Sequence, residues 1–330
     1  MKNVHFLSSC RLGLACVMAT LAAVLPLQAL SQVYPAKPVK VLVGFTAGGA
    51  VDLIARSVGQ AMQAGLGQPI VVENKPGAGT NIAMKALIDA PPDGYTLMLT
   101  ANSIAANPAL YKPAPFDPEK DVAPVALVGR VPVVIAANAA SPYTSVAQLI
   151  QAAKGKPNTI AYGSPGNGAT PHMAMEFFTR AAGVDLQHIP YKGGSQAITD
   201  AIGGQIPLVA VNALEVLPHV KSGKLRVIAV LSPNRSSIYP DVPTIAESGF
   251  PGFEASVWYG FIAPAATPKA VVERLHAEVE KALQNPEVRA RLANAGGEVL
   301  PGTTEQFAAL IRAERVRYEK LVREANIKPD

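Results

Sequence analysis

Cysteine is almost absent from this chain. The 330 residues contain two cysteines, Cys10 and Cys16, and both lie in an N-terminal segment that ends near residue 31. If that segment is removed, the remaining 299 residues (330 − 31) carry no thiol. Disulfide bonds, cysteine nucleophiles and cysteine-ligated metals are therefore excluded for the mature protein. A chain of about 300 residues can bury a large core without them and commonly divides into two domains.

The same N-terminal segment predicts export from the cytoplasm. Lys2 and Arg11 precede the apolar run "LGLACVMATLAAVLPLQAL", which ends in small residues before Ser31. This layout is typical of a secretory signal peptide, and we expect cleavage after Ser31. The alternative is a membrane anchor, which Pro26 and Gln28 disfavour because they interrupt the run. No second long apolar run follows, so we expect a protein of the periplasm of a Gram-negative cell.

A large excess of charge is also lacking. Lysine and arginine number 29 against 24 aspartates and glutamates, which gives a formal net charge of +5. The basic residues are scattered and are not interleaved with aromatic residues, so nucleic-acid binding is not expected. A small positive excess is compatible with an anionic ligand but does not by itself indicate one.

Catalytic and cofactor-binding motifs are missing as well. The segment "GFTAGGAVD" has no P-loop lysine, and "GSPGNGATPH" lacks the third glycine of a dinucleotide-binding turn. Neither Ser164 nor Ser195 lies in the G-x-S-x-G elbow of a serine hydrolase. The histidines after residue 31 are not spaced as zinc ligands. We therefore expect a protein that is not an enzyme and that carries no cofactor or metal.

What the sequence does contain is an alternation of strand-like and helix-like segments. Apolar runs such as "VKVLVGF" alternate with amphipathic runs such as "TAGGAVDLIARSVGQAMQAGLG", which predicts an α/β fold with mostly parallel sheets. The run 122–138 is predicted to cross to a second domain, and "WYGFIAPAATP" to cross back. After the signal peptide (residues 1–31), we expect a discontinuous first domain, residues 32–135 and 262–330. The second domain is then residues 136–261.

Two strand–turn–helix units, residues 39–62 and 159–182, repeat one arrangement in the two predicted domains. Each places small residues at a helix start, where N–H groups without intrahelical partners and the helix dipole favour an anion. Open α/β sheets bind ligands at the carboxyl ends of their strands. If the two domains face each other, both turns line one cleft, which suits a dicarboxylate. The alternative is that the glycines serve only as tight turns.

Some residues near these turns have two interpretations. Asp52, near a predicted helix start, either caps free N–H groups or binds the ammonium group of an amino-acid ligand. His172, at the other helix start, is either a structural histidine or a ligand contact, which hydrogen-bonds a ligand oxygen if neutral and pairs with it if protonated. Trp258 and Tyr259 are expected to pack at the domain junction rather than to stack on a ligand. The residues alone leave these alternatives open.

Several motifs follow one another in the order found in a single family. They include "YPAKPVKVLVGFTAGGAVDLIAR", "GQPIVVENKPGAGTNIA", "YGSPGNGATPHMAMEFF", "HIPYKGGSQAITDAIGGQI" and "PDVPTIAESGFPGFEASVWYGFIAPAATP". With them the mature chain resembles the Bug-type periplasmic solute receptors of tripartite tricarboxylate transporters over essentially its whole length. The resemblance implies a type II periplasmic binding (Venus-flytrap) fold, two α/β domains joined by crossing strands. It also implies a monomeric receptor that binds a small-molecule carboxylate between the domains and delivers it to membrane permease subunits.

The resemblance further implies a set of ligand-binding residues. In this family, backbone N–H groups, short hydroxyl side chains and trapped waters hold the ligand's carboxylate. The implied residues are Phe45, Thr46, Ala47, Gly48, Gly49, Val51 and Asp52 in the first loop, Ser164, Gly166, Asn167, Gly168, Ala169, Thr170 and His172 in the second, and Ser103 and Asn212 at two further strand ends. Ala50 and Pro165 complete the two loops.

Two departures from the family pattern bear on the ligand. Gly44 and Ala47 stand where the first loop usually carries prolines, which predicts a more mobile loop. Val211 stands where an acid commonly precedes Asn212, so a partner for a ligand ammonium group is missing. We therefore expect an aliphatic or aromatic mono- or dicarboxylate rather than an amino acid. The alternatives are a sensory accessory that signals to a membrane sensor and, more remotely, a hydrolytic enzyme.

Overall fold

A mixed β-sheet organises the fold. The computed structural model describes residues 34–294, 297–325 and 327, and the predicted signal peptide (residues 1–31) lies outside them. The strands are β1 (Val39–Val43), β2 (Ile70–Asn74), β3 (Thr96–Thr100), β4 (Val122–Asn138), β5 (Ala161–Ser164), β6 (Gln187–Pro190), β7 (Leu208–Asn212), β8 (Leu225–Val230), β9 (Ser256–Pro264) and β10 (Glu298–Val299). The helices are α1 (Ala50–Leu66), α2 (Asn81–Ile88), α3 (Ser103–Leu110), α4 (Val146–Ala153), α5 (Thr170–Ala182), α6 (Gly194–Ile202), α7 (Ala213–Lys221), α8 (Lys269–Gln284), α9 (Pro286–Asn294) and α10 (Thr304–Ala325), with a 3₁₀ turn at Ala78–Thr80.

The strand order divides the sheet into two arms. The order is β2-β1-β3-β9-β4-β7-β5-β6, with β8 and β10 also paired to β4. In the first arm β1 lies parallel to β2 and β3, and in the second arm β5 lies parallel to β6 and β7. We assign α1, α2 and α3 to the first arm and α5, α6 and α7 to the second. β4 and β9 pair antiparallel with their neighbours. The predicted α/β fold is confirmed, but the expectation of mostly parallel pairing holds only within the arms. Among the described strands four pairings are parallel and five are antiparallel, and each of the five involves β4 or β9.

Strand β4 extends over the whole of the run 122–138. Residues 122–132 pair with β9, whereas residues 133–138 pair with β7 and β8. One continuous strand therefore connects the sheet of the first arm with that of the second. The described residues from Lys37 onward form one compact unit, and the domain boundaries expected from the sequence stay a prediction.

Apolar clusters hold the arms and also join them. In the first arm Leu42 and Met98 pack on one face of the sheet, and a second cluster fills the second arm around β4 and β7. A further cluster brings together Ala105 of α3, Met173 of α5 and Tyr318 of α10. Helices of both arms are therefore in apolar contact. No helix among the described residues is both long and apolar enough to cross a membrane.

The sequence pattern does not predict helix α3, because the helix contains Pro108 and lies in a proline-rich stretch. All eight of its residues are buried, so tertiary packing outweighs the unfavourable helix propensity of proline. Asn102, directly before the helix, accepts the N–H of Trp258 at 3.0 Å and donates to Glu314 at 3.0 Å. These bonds anchor the start of α3 to β9 and α10.

Candidate functional site

A narrow cavity lies at the carboxyl ends of the parallel strands of both arms. Its walls come from segments that end or follow β1, β3, β5, β6 and β7, and from β9. The lining residues are Phe45, Thr46, Gly49, Ala50, Val51, Ala101, Pro165, Ala169, Thr170, Pro171, Gly194, Asn212, Glu215, Val257 and Tyr259. The cavity measures about 30 Å³, room for about two or three waters at ~10–15 Å³ each. Ligands of open α/β sheets bind at this edge.

Four helices begin at this cavity. Helix α1 starts at Ala50, α5 at Thr170, α6 at Gly194, and α7 directly after Asn212. In none of the four does the side chain of the N-cap residue bond a free N–H group. Each helix start carries a partial charge of about +0.5. The walls of the cavity are therefore suited to an anion.

The cavity wall also contains buried polar atoms that have no hydrogen-bond partner within the described chain. They are Thr170 Oγ1, Asn212 Oδ1 and Tyr259 Oη. The residues Thr170, Asn212 and Tyr259 are 3%, 5% and 0% exposed. A buried polar group left unpaired costs about 1–3 kcal/mol. Such atoms are rare in folded proteins, and their concentration at one cavity indicates a binding site.

Glu215 is the carboxylic acid of this wall. Its Oε1 accepts a hydrogen bond from Asn212 Nδ2 at 2.7 Å. Burial raises the pKa of the Glu215 carboxyl above its ordinary value, although Asn212 and the N–H of Ala50 oppose this by hydrogen bonding. Burial, with the neighbouring Glu215 charge, raises the pKa of Tyr259 well above its ordinary value. Tyr259 therefore stays protonated, and its hydroxyl can donate a hydrogen bond to a ligand.

The turn between β5 and α5 is held by two stacked histidines. The rings of His172 and His188 lie 4.0 Å apart with an interplanar angle of 9°. His172 Nδ1 accepts the N–H of Gly168 at 3.2 Å, and His188 Nε2 lies 2.7 Å from Ser164 Oγ. Burial lowers the pKa of His172 well below its ordinary value and the pKa of His188 to about 4. Both rings are therefore neutral at pH 7, and His172 fixes the turn through Gly168.

The turn between β1 and α1 is held by an ionised carboxylate instead. Asp52 accepts hydrogen bonds from the N–H of Gly48, from Arg56 and from Asn74, each at 3.0 Å. Asn74 also donates to the carbonyl of Phe45 at 3.0 Å. Burial alone would raise the pKa of Asp52, but these hydrogen bonds hold it below its ordinary value. The contacts agree with the capping interpretation of Asp52, and a ligand contact for it stays a prediction.

Comparison with known proteins gives the family. Residues 54–327 match the tripartite tricarboxylate transporter family receptor, TctC. The chain belongs to this family. Protein BugT of Bordetella pertussis is 36% identical to this receptor over 297 residues, 89% of this chain and 91% of BugT.

Solved structures show the same fold as this TctC-family receptor. The periplasmic binding protein BugD is 34% identical, with a TM-score of 0.86 over 90% of this chain and 100% of BugD. An R. palustris protein with adipate is 32% identical, with a TM-score of 0.85 over 90% and 100% of the two chains. MatC from Rhodopseudomonas palustris with bound malate is 31% identical, with a TM-score of 0.84 over 88% and 100%. The periplasmic binding fold is thus confirmed, and the family consists of solute-binding receptors, not enzymes.

Part of the predicted set of binding residues lines the cavity of this receptor. The lining members are Phe45, Thr46, Gly49, Val51, Ala169, Thr170 and Asn212. The other members do not line it: Ala47, Gly48, Asp52, Ser103, Ser164, Gly166, Asn167, Gly168 and His172. Ser103, for example, accepts a hydrogen bond from Thr80 Oγ1 at 3.2 Å. A ligand contact stays a prediction for all of them.

Sequence reasoning missed several lining residues: Ala101, Pro171, Gly194, Glu215, Val257 and Tyr259. A signal for Glu215 was present, because Asn212 followed by Glu215 three residues later has the spacing of a helix capping box. Trp258 packs edge-on against Phe307, whereas the adjacent Tyr259 lines the cavity. No local pattern distinguishes these neighbours, since their environment depends on where β9 lies in the sheet.

Proposed function

We propose that this receptor binds a small organic acid in the cavity between its two arms. The observation that carries the proposal is that four helix starts converge on one cavity with unpartnered polar atoms in its wall. Helix α1 belongs to the first arm and the other three to the second. A carboxylate bound among them therefore interacts with both arms at once, and Thr170 and Tyr259 supply hydroxyl donors.

The solved relatives support the class of ligand. One was solved with adipate and another with malate, and both cover at least 88% of this chain. Both ligands are small carboxylates. We carry over the chemical class to this receptor, while the identity of its own acid depends on side chains that line its own cavity.

We propose that the arms separate to admit the acid and close around it. The cavity of about 30 Å³ is smaller than a four-carbon acid requires. In the arrangement described, Thr46 Oγ1 of the first arm lies 3.4 Å from Ser195 Oγ of the second. A ligand that contacts both arms shifts the population towards this closed arrangement by its difference in affinity for the two states. The predicted domains, residues 32–135 with 262–330 and residues 136–261, would then be the two moving bodies.

Export and transport are further parts of the proposal. The family is described as a transporter receptor, and residues 1–31 have the layout of a signal peptide. We expect a monomeric periplasmic protein beginning at Gln32 that delivers its acid to membrane permease subunits. Mass spectrometry of the periplasmic fraction tests the first residue. Deletion of the gene, followed by uptake measurements with the labelled acid, tests delivery, and unchanged uptake would contradict it.

Binding itself is tested by calorimetric titration of the Thr170→Val variant. Thr170 Oγ1 is a buried, unpartnered donor in the cavity wall, so its removal should weaken binding about tenfold (~1–1.5 kcal/mol). The titrants are two- to six-carbon acids with and without hydroxyl and amino substituents. Thr179→Val is the matched control, because this hydroxyl lies on the same helix and donates to the carbonyl of Glu176 at 3.3 Å. Equal affinity of Thr170→Val and wild type, or no binding of any acid, would refute the proposal.

A further inference from the structure

We infer that this receptor binds its acid anion together with one proton, and that the Glu215 carboxyl takes up this proton from the solvent. The inference rests on the proposed function and adds a second ligand, the proton, to the same cavity. No lysine, arginine or histidine is among the described residues that line the cavity, and Glu215 is the acid among them. An incoming carboxylate therefore meets a carboxyl group and no side-chain cation.

The Glu215 carboxyl lies where the two arms meet. It belongs to α7 of the second arm, and it accepts hydrogen bonds from Asn212 Nδ2 at 2.7 Å and from the backbone N–H groups of Asn212 and Ala50. Ala50 begins α1 of the first arm. A Cβ on Gly194, at the start of α6, would lie 1.9 Å from Glu215 Oε2. When the arms separate, the carboxyl exchanges its contact with α1 for water.

Closure and the ligand both act against a negative charge on this carboxyl. Burial raises the pKa of Glu215 above its ordinary value, although hydrogen bonds from Asn212 and from the N–H of Ala50 oppose the shift. A ligand carboxylate in the same cavity raises this pKa further, because a nearby like charge disfavours ionisation. Two carboxyl groups in one buried site can hold a single proton between them. The complex therefore binds a proton that the open receptor lacks.

The groups that face Glu215 from the neighbouring elements supply no positive charge among the described residues. The starts of α1 and α6 present an alanine and a glycine. From β9 the carboxyl faces Tyr259, which stays protonated because burial, with the neighbouring Glu215 charge, raises its pKa well above the ordinary value. Asp52 and Arg56, further along α1, pair with each other at 2.9 Å. A proton on Glu215 thus leaves the partial positive charge of the helix starts to the ligand.

Proton uptake gives the affinity a defined dependence on pH. In the open receptor, where water reaches it, the carboxyl ionises above about pH 4.3, and in the complex its pKa is higher. Between these two values the complex holds more protons than the free receptor. Affinity therefore rises as the pH falls, by up to about tenfold per pH unit for one proton. Above both values the ligand binds beside an ionised carboxylate, and affinity is lowest.

The test counts protons by calorimetry. Receptor stripped of ligand by unfolding and refolding is titrated with succinate, L-malate, glutarate and adipate, and the acid that binds most tightly is used throughout. Each titration is repeated in two buffers of different ionisation enthalpy, because a proton taken from the buffer adds the buffer's own heat. For wild type we expect uptake of at least about 0.5 proton at pH 6.0, and an affinity about tenfold lower at pH 8.0 than at pH 6.0.

The decisive variant is Glu215→Gln, whose amide resembles the protonated carboxyl in carrying both a donor and an acceptor. It should take up no proton beyond the ligand's own titration, which is the same in both proteins and cancels in the difference. At pH 8.0 it should bind the acid at least about tenfold more tightly than wild type, because the like charge is gone.

Two controls separate this effect from folding and from general loss of charge. A thermal unfolding curve verifies that Glu215→Gln is folded. Glu247→Gln is the matched control, because Glu247 Oε2 accepts the N–H of Thr244 at 2.8 Å in a similar helix-start contact outside the cavity. This variant should keep the proton uptake and the pH dependence of wild type.

Three results would overturn the inference. The first is binding by wild type without proton uptake, a result that holds whether or not any variant folds. The second is equal uptake in Glu215→Gln and wild type, which would place the proton on another group. The third is weaker binding by Glu215→Gln at pH 8.0. In all three the proposed function stands, because an acid still binds. If none of the acids binds, the proposed function and the inference fall together.

Discussion

The two turns at the cavity share an architecture but are stabilised in different ways. Each joins a parallel strand to a helix whose start lines the cavity. The turn after β1 is held by the ionised Asp52, whose partner Arg56 is half exposed. The turn after β5 is held by two neutral histidines, the buried His172 and the partly buried His188. A turn that presents N–H groups to a ligand can thus be stabilised near solvent by an ionised side chain. In the interior, where an unpaired charge is unfavourable, hydrogen bonds from neutral side chains take this role.

The turns also differ in how closely they are packed. A Cβ on Gly168 would lie 2.4 Å from Oδ1 of Asn107 in α3, whereas a Cβ on Gly48 would meet nothing within 4 Å. The second turn is therefore packed against the other arm, and the first is open at this position. Substitutions and a lowered pH should therefore destabilise the second turn more than the first.

The largest difference is expected between Gly168→Ala and Gly48→Ala. Both glycines have positive φ, +73° and +82°, which costs an alanine about 1–2 kcal/mol. Gly168→Ala also forces Asn107 or the turn to move, so we expect a loss of about 3 kcal/mol or more in the free energy of unfolding. Affinity should fall more than tenfold for Gly168→Ala and less than threefold for Gly48→Ala. Urea unfolding and calorimetry measure both, and equal effects would show that the turns are packed alike.

As the pH is lowered, the second turn should lose stability at a higher pH than the first. The pKa of His188 is about 4 in the folded protein and about 6.5 in an unfolded chain. Between these values the unfolded chain binds more protons, so the free energy of unfolding falls as pH falls, by about 1 kcal/mol per unit. The pKa of Asp52 is lowered by its hydrogen bonds, against the effect of burial. Its contribution is complete above about pH 3.9 and is lost only below it.

Urea unfolding of wild type and His188→Asn between pH 7.5 and pH 4.5 measures this dependence. The variant should show a shallower loss of stability over this range, because one of the groups that binds protons on unfolding is gone. Parallel profiles would mean that His188 is not buried in its neutral form.

The smallest effect is expected for Asp52→Asn. Asparagine preserves an acceptor for Gly48 but replaces the oxygen that accepts from Asn74 by an NH2 group. The variant therefore loses that hydrogen bond and the charge interaction with the half-exposed Arg56, together about 1–2 kcal/mol. Ligand affinity should stay within about threefold, since Asp52 does not line the cavity. A tenfold loss of affinity in calorimetry, with stability unchanged, would instead support the ligand contact that the family resemblance implies for Asp52.

Elements with a local signal were predictable from the sequence. The β-branched run of β1 and the glycine that ends α1, Gly67 with φ 67°, are examples of periodicity and capping read over a few residues. Helix α3 was not predictable, since its Pro108 opposes a helix locally and only burial overrides it. Likewise Thr46, Thr170 and Asn212 were expected at the site, whereas Tyr259 and Glu215 were not.

Local order in the chain thus determined the alternation of strands and helices, the two turns of small residues and the family motifs. Only the tertiary structure decided which side chains share the cavity, because Thr46, Thr170, Glu215 and Tyr259 come from distant segments that the sheet brings together. It alone also decided that polar atoms of Thr170, Asn212 and Tyr259 are buried in the cavity wall without a hydrogen-bond partner in the described chain. Burial and the absence of a partner are properties of the space around an atom, which no short stretch of sequence encodes.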